Sequence, residues 1–461
     1  MDTERLLKLI NEACRILEEK LEANEMPPQK YAVVKFRVEE MELSEGSSRV
    51  TWSHVNEVKT TWVLGLSNLV EQKIEKLPIF NTVVDSIVRD YGELLPENMN
   101  KRNQITFWLR NFVFKILHEK LENKLTQERI VNLTSILVSE LGQAPIKHDI
   151  KANLEGVYVD SESMKLNEGV VIRKPRQKDL EYEVSVTPFI PTFERYGRVP
   201  KAILEISMLA RNDNEIQEKV ERVMTLLRLY KLGSVCSPAY SLSSVSVIGI
   251  SSSQQRTSGK ASVLYTYTVE GSEAKALHSF FEALDPLLPQ NLLFTRRTTP
   301  LDVALNFYKN CLLEASQSEM KLMTAIMGLE SLYAHKGEVT EIGYRLRLRA
   351  ARLLSFLGFD SKEVSENVRK SYHIRSKVAH GSALKENERK MLTDLLRKML
   401  NYLLISILIF ILVKSIGKRE LVSLVEESML KSSSFEKLET MIANSIDRIP
   451  EEVYKKNIES A

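Results

Sequence analysis

Between Lys398 and Lys414 the chain reads MLNYLLISILIFILV, fifteen residues without a charge. As a helix this run spans about 22 Å at roughly 1.5 Å per residue, short of the roughly 30 Å of a bilayer core. It also continues without a break from the polar segment KENERKMLTDLLRK. An interior helix is therefore expected rather than a membrane span, and a helix apolar on all sides has to be wrapped by others. That requirement predicts a helical bundle for the C-terminal third, with the run 402–413 inside it or at a seam between two copies.

A chain of 461 residues is too long for one ordinary core, so we read it as multidomain and mainly α. Residues 1–142 form a mainly helical N-terminal region, opening with Leu6, Ile10, Cys14, Leu17 and Leu21 at helical spacing. Further helices are expected around 60–93, 102–123 and 127–141. One interruption is expected at YAVVKFRVEEMEL, 31–43, where Val33, Phe36 and Val38 approach alternation, although the segment also fits a helix.

From 143 to 292 the pattern changes to an α+β region. IKHDIKANLEGVYV, EGVVIRKP, KAILEISMLA, SSVSVIGI and KASVLYTYTV are short, rich in Val, Ile, Thr and Tyr, and bounded by Gly, Ser or Pro, as strands are. Between them, Ile216, Val220, Val223, Leu226, Leu227 and Tyr230 share one helical face, with Gly233 as a stop. SSSQQRTSGK at 251–260 reads as a hairpin loop, because it lacks the GxxxxGK[ST] arrangement of a phosphate cradle.

The bundle is expected over 293–416. Thr299 as N-cap, Pro300 at the first position and Asp302 in the first turn agree on a helix start. A second helix carries Leu322, Ile326, Leu329 and Tyr333, with a capping-box spacing from Ser316 to Glu319 and a stop at Gly337. The third has Ile342, Leu346, Ala350 and Leu353 on one face before Gly358. Asp360 and Glu363 open the fourth, which runs to Gly381, and 386–414 forms the fifth. Residues 417–461 are expected to be a charged helical tail.

Charge and cysteine content narrow the chemistry. With 64 basic and 61 acidic residues the net charge is only +3, so any nucleic-acid site has to be local. Cys14, Cys236 and Cys311 are far apart and lack CxxC or His neighbours at ligand spacing, which fits a reduced, cytoplasmic setting without a structural metal. The N-terminus carries charge throughout, so no export signal is expected.

The informative anomaly lies in the fourth helix. Its stripe of Val364, Val368, Tyr372 and Ala379 places Arg375 on the same inward line, where an unpaired charge is costly. Five residues on, His380 precedes Gly381, a residue suited to the left-handed end of a helix. Five residues turn an ideal helix by about 500°, so the two side chains point roughly 140° apart. Three routes close that gap: the reach of arginine, a loosened last turn, or a second copy across a dimer interface, the last two being favoured. The structural alternative makes Arg375 an ion-pair partner of Glu330 and His380 a cap.

SYHIRSKVAHG, Ser371 to Gly381, resembles the RxxxxH signature of the HEPN superfamily, and its surroundings are similar to the Apea-like branch. The likeness covers about 300–416: GLESL at 328–332, Arg349 and Ala350 in the next helix, then Tyr372, Arg375, Ser376 and the His380–Gly381 pair, then a long apolar helix. Ser376 stands where the family often has asparagine. The resemblance implies a four-to-five-helix bundle acting as a metal-independent endoribonuclease without a cofactor. Its catalytic residues would be Arg375 and His380, supported by Ser376, Tyr372, His373 and Glu330. Metal-free cleavage needs a base for a 2′-hydroxyl, an acid for the leaving 5′-oxygen and a cation on the phosphorane, roles that imidazole and guanidinium fill. It further implies a homodimer through the bundle, RNA as partner, no membrane partner, and a toxin or antiviral effector. The N-terminal two-thirds would then be the sensor or restraint, answering to an activator or antitoxin.

The remaining candidates read as structural. His118 opens HEKLE, but a zincin helix needs a second histidine where Glu122 stands. His335 is expected to be a surface or capping residue, as is His373 unless it lines the site. His54, His148 and His278 stand in unrelated contexts. Arg345, Arg347, Arg349 and Arg352 are expected to form a solvated helix face rather than an RNA-facing surface. The competing function is a non-catalytic HEPN module that binds RNA, a nucleotide or a protein.

Overall fold

The computed structural model describes residues 2–44, 47–95, 97, 99–185, 200–249, 252–255, 265–290, 292–293, 299–314, 316–335, 337–338 and 340–459. The N-terminal region contains α1 (Thr3–Glu22), β1 (Gln29–Ser44), β2 (Ser47–Thr61), α2 (Val63–Gln72), α3 (Pro78–Tyr91), α4 (Lys101–Leu121) and α5 (Gln127–Leu141). The helices share a core in which α1 buries Leu6, Leu9, Ile10, Ala13 and Leu17. Cys14, placed on that stripe by spacing, is only half-buried and yields to Ala13.

The expected strand at 31–43 is the middle of β1, and β2 returns along it in antiparallel register from Gln29↔Thr61 to Ser44↔Ser47. β2 was not expected from residue spacing. Solvent reaches its residues on both faces, with Val55 and Val58 exposed, so the alternation that marks a half-buried strand is missing.

The middle region contains β3 (Ile146–Glu155), β4 (Val157–Val159), β5 (Met164–Asn167), β6 (Val170–Arg173), α6 (Gln177–Leu180), β7 (Tyr182–Ser185), β8 (Ala202–Ala210), α7 (Asp213–Tyr230), β9 (Cys236–Ser244), β10 (Ser252–Gln255), β11 (Tyr267–Val269) and α8 (Ala274–Leu284). Six strands form one antiparallel sheet in the order β10-β9-β3-β8-β6-β5. β7 leaves that sheet to pair with β1, and β11 runs parallel to β4. α7 has Asn212 as N-cap and ends at Tyr230. Gly233 is needed for room rather than as a left-handed stop, since a Cβ there would lie 2.4 Å from the Tyr267 ring.

Two strand expectations need correction. SSVSVIGI is a strand only through Ser244. Val247 and Ile248 serve a different core, that of the N-terminal helices, while Val245 is exposed. There the Glu140 carboxylate accepts from the Val247 and Ile248 amides at 2.8 and 3.3 Å, and Lys115 donates to the Ser246 carbonyl at 2.9 Å. Part of SSSQQRTSGK is strand β10, while its remaining residues, and 260–264 of KASVLYTYTV, lie outside the described residues.

The C-terminal helices are α9 (Pro300–Leu313), α10 (Ser318–Tyr333), α11 (Ile342–Ser355), α12 (Ser361–Ala379), α13 (Glu386–Leu412), α14 (Gly417–Glu427), α15 (Ser432–Ile446) and α16 (Glu451–Glu459). Thr299 and Asp302 form a reciprocal capping box around Pro300. The box expected from Ser316 to Glu319 does not form; α10 starts at Ser318 after Gln317, without a side-chain cap. Every residue from Met399 to Val413 is buried, and 89% of the most apolar window of α13 lies inside the fold. Gly328 of α10 lets this helix approach, since a Cβ there would meet Leu403 at 2.8 Å. α14, α15 and α16 add Leu421, Val422, Leu438, Ile442 and Val453 to the same apolar cluster, which extends through α7 to the six-stranded sheet. The tail is a wall of the fold.

Candidate functional site

Asp360 accepts from the Glu363 amide at 2.6 Å and starts α12, which buries Val364, Asn367, Val368, Ser371 and Ile374. The inward stripe thus turns toward Ser371 and Ile374 in the second half. Tyr372 is half-buried and Ala379 exposed, contrary to the simple spacing.

Arg375 is half-buried, and its Nη2 donates to Glu330 Oε2 at 3.0 Å, joining α12 to α10. Its guanidinium carbon sits 5.1 Å from the centre of the Tyr372 ring. That ring is seated against α11 by Gly343, where a Cβ would lie 2.7 Å from Tyr372 Cδ1. Burial raises the Glu330 carboxyl above its ordinary value, offset in part by Arg375 and the nearby Tyr372. Glu330 Oε1 is buried without a hydrogen-bond partner among the described residues. A carboxylate so placed holds arginine at one edge and leaves the rest of the five-donor fork for other groups.

The helix does not loosen before Gly381. It stays regular to Ala379, and the His380 amide closes a last bond of 3.1 Å to the Ser376 carbonyl. Gly381 then takes the left-handed conformation, φ +70°. Of the routes proposed to bring Arg375 and His380 together, the unwound turn is therefore removed. The imidazole of His380 is exposed and makes no hydrogen bond or ion pair among the described residues. Ser376 is half-buried beside it.

His373 is on the other side of the helix from Arg375. Its side chain is 63% exposed, and Nε2 lies 3.7 Å from Glu388 Oε1. The same oxygen takes Lys377 Nζ at 2.6 Å, while Oε2 of Glu388 accepts from the Lys385 amide at 2.8 Å at the start of α13. These contacts, with Lys377 first, hold the Glu388 carboxyl below its ordinary value. Spacing did not single out Lys377 or Glu388. The one available signal was the four-residue step from His373 to Lys377.

The structure thus assembles Glu330, Tyr372 and Arg375 on one side of α12, and His373, Lys377 and His380 on another. The arginine cluster of α11 is not a solvated face. Arg349 is 1% exposed and donates to Glu338 at 2.5 and 2.8 Å, to Glu426 at 2.6 and 3.0 Å and to the Tyr333 carbonyl at 2.8 Å. Arg345 also holds Glu338, and Arg352 binds Ser428 and stacks on Phe435. Their acceptors sit in the loop after α10 and on α14, out of reach of any helix-face argument. His335 joins this network, 3.6 Å from Glu426. His278 is fixed by the Leu166 carbonyl, and His148 is buried in the sheet. No cluster of three or more His, Cys, Asp or Glu able to hold a metal occurs among the described residues.

In comparisons with known proteins, no family model, no curated protein and no solved structure matches this chain.

Proposed function

We propose that the C-terminal bundle is an Apea-like HEPN domain and that the chain is a metal-independent, cytoplasmic endoribonuclease. Arg375 and His380 are its principal catalytic residues, and two copies of α12 face one another across a twofold. Residues 1–292 hold the nuclease at a low basal rate, still readable on end-labelled RNA, until a trigger raises it, as suits a toxin or antiviral effector that would otherwise damage its own cell. The observation that carries this reading is the end of α12. One carboxylate and one ring hold Arg375 with donors to spare, and His380 stands exposed at the helix end. A guanidinium with free donors grips phosphate oxygens in pairs, and an accessible imidazole can serve as proton donor or acceptor.

A second reading is favoured by the bond between Arg375 and Glu330, which suits a structural arginine. In it the bundle is a non-catalytic HEPN module that binds RNA, a nucleotide or a protein. Cleavage of an end-labelled RNA by the purified full chain in chelator separates the two. The nuclease reading expects 2′,3′-cyclic phosphate ends, and losses of about 10²–10⁴-fold for His380→Ala. Arg375→Lys should be comparably damaging, because it keeps the charge but removes the planar fork. Wild-type rates in both variants assign the bundle to binding.

A further inference from the structure

We infer that each chain carries a complete proton-transfer pair on the exposed face of α12, formed by His373 and His380 with the Lys377 ammonium between them. The inference rests on the RNA-cleavage reading above and changes both where its second imidazole comes from and which cation of the same chain meets the phosphate. Because α12 is unbroken to Ala379, positions 373 and 380 are related by about 700°, some 20° short of two full turns, and by about 10.5 Å along the axis. Lys377 lies about 40° from His373 on the same strip. Arg375, by contrast, is about 160° from His373 and tied to Glu330. Helical side chains lean toward the N-terminus, so the groups on this strip tilt the same way along it.

The two histidines are held differently. Glu388 is fixed by the first turn of α13 through the Lys385 amide, and its Oε1 lies 2.6 Å from Lys377 and 3.7 Å from His373. One carboxylate therefore holds Lys377 and stands beside His373, while the His380 imidazole makes no hydrogen bond or ion pair among the described residues. On the same helix, Glu366 takes Arg369 at 2.7 Å and Lys370 at 3.7 Å, which leaves the site end of the strip to the two imidazoles and Lys377. The Lys377 ammonium attracts a phosphodiester, an attraction that the Glu388 carboxylate at 2.6 Å offsets in part.

The reaction is a transesterification. One imidazole takes the proton of a ribose 2′-hydroxyl as that oxygen attacks phosphorus and the bond to the 5′-oxygen breaks. The other, as imidazolium, gives its proton to the departing 5′-oxygen. Lys377 sits against the non-bridging oxygens as their charge grows, and the products are a 2′,3′-cyclic phosphate and a 5′-hydroxyl.

The test uses the full-length protein in chelator with an RNA oligonucleotide of mixed sequence. His373→Ala and His380→Ala are each expected to lower the rate by about 10²–10⁴-fold. His373→Gln serves in place of the alanine variant if thermal melting reveals misfolding. A substrate with sulfur at the bridging 5′ position needs no proton on its leaving group, so it should restore one histidine variant and leave the other impaired. Rescue of both or of neither overturns the assignment. If His373→Ala cleaves at the wild-type rate while His380→Ala is inactive, the pair within one chain is wrong, and the nuclease reading stands with a second imidazole from another copy. If the wild-type chain cleaves no RNA, both are wrong.

Discussion

Arg349 and Arg375 occupy adjacent helices of one bundle and lead opposite lives. Arg349 is sealed, with Glu338, Glu426 and the Tyr333 carbonyl taking up its donors. Among the described residues, Arg375 has a single hydrogen bond, to Glu330, and a ring beside it. A saturated guanidinium has nothing left to offer a ligand, so its role is to join the loop after α10 to α14. An unsaturated one at a half-open surface can accept a further anion. Counting remaining donors separates the two arginines where residue type cannot.

The largest effect that would sharpen this contrast is at the sealed site. Arg349→Ala removes one member of a buried ion network and leaves Glu338 without its main partner, so the unfolding free energy should drop by about 3–5 kcal/mol. Urea titration checks it. A loss below about 1 kcal/mol would show that the network is not closed in solution.

At the open site, Arg375→Ala should cost less, about 1–3 kcal/mol, chiefly through the carboxylate left unpaired at Glu330. Equal losses at the two arginines would erase the distinction.

Acid should also act on the two sites in opposite directions. Glu338 is held at about 2 by Arg349, His335 and Arg345 against the opposing effect of burial. A lowered native pKa means stability present above the unfolded value of 4.5 and lost as pH falls from there toward 2. Glu330 is raised by burial, so its native state takes up a proton first, and its contribution falls as pH rises above 4.5. In carboxyl-carbon NMR titrations Glu330 should protonate well before Glu338, and the stability of Glu330→Gln should no longer decline over that upper range. The reverse order of protonation would contradict both environments.

The smallest expected change is in the stability of His380→Ala. An exposed imidazole with no partner among the described residues should alter the melting free energy by less than about 0.5 kcal/mol, measured alongside the cleavage assay.

The same contrast marks how much of the molecule was legible in its sequence. The apolar run of α13 and the Thr299–Pro300–Asp302 start could be read because local rules and tertiary packing agree there. The pairing of Arg375 with Glu330 was within reach, since both lie near the apolar stripes of their own helices. Arg349 was misread because its acceptors, Glu338 and Glu426, sit 11 and 77 residues away, and an arginine among arginines otherwise resembles a solvated face. β2 was invisible for want of alternation. Val247 was assigned to a strand because its apolarity is real, although the core it serves belongs to other helices. At the candidate site, Lys377 and Glu388 escaped notice because their meeting depends on where α13 begins.

The complete enclosure of α13 also bears on the order in which the molecule is made. A ribosome delivers α9 to α12 first, then the apolar helix, and only afterwards α14, α15 and α16, which supply part of its wrapping. For that interval the nascent chain displays a long apolar side with no permanent cover, the kind of surface that recruits chaperones or aggregates. Premature stop codons after Leu412 would therefore be expected to yield a product that quality control removes, however intact the residues on α12.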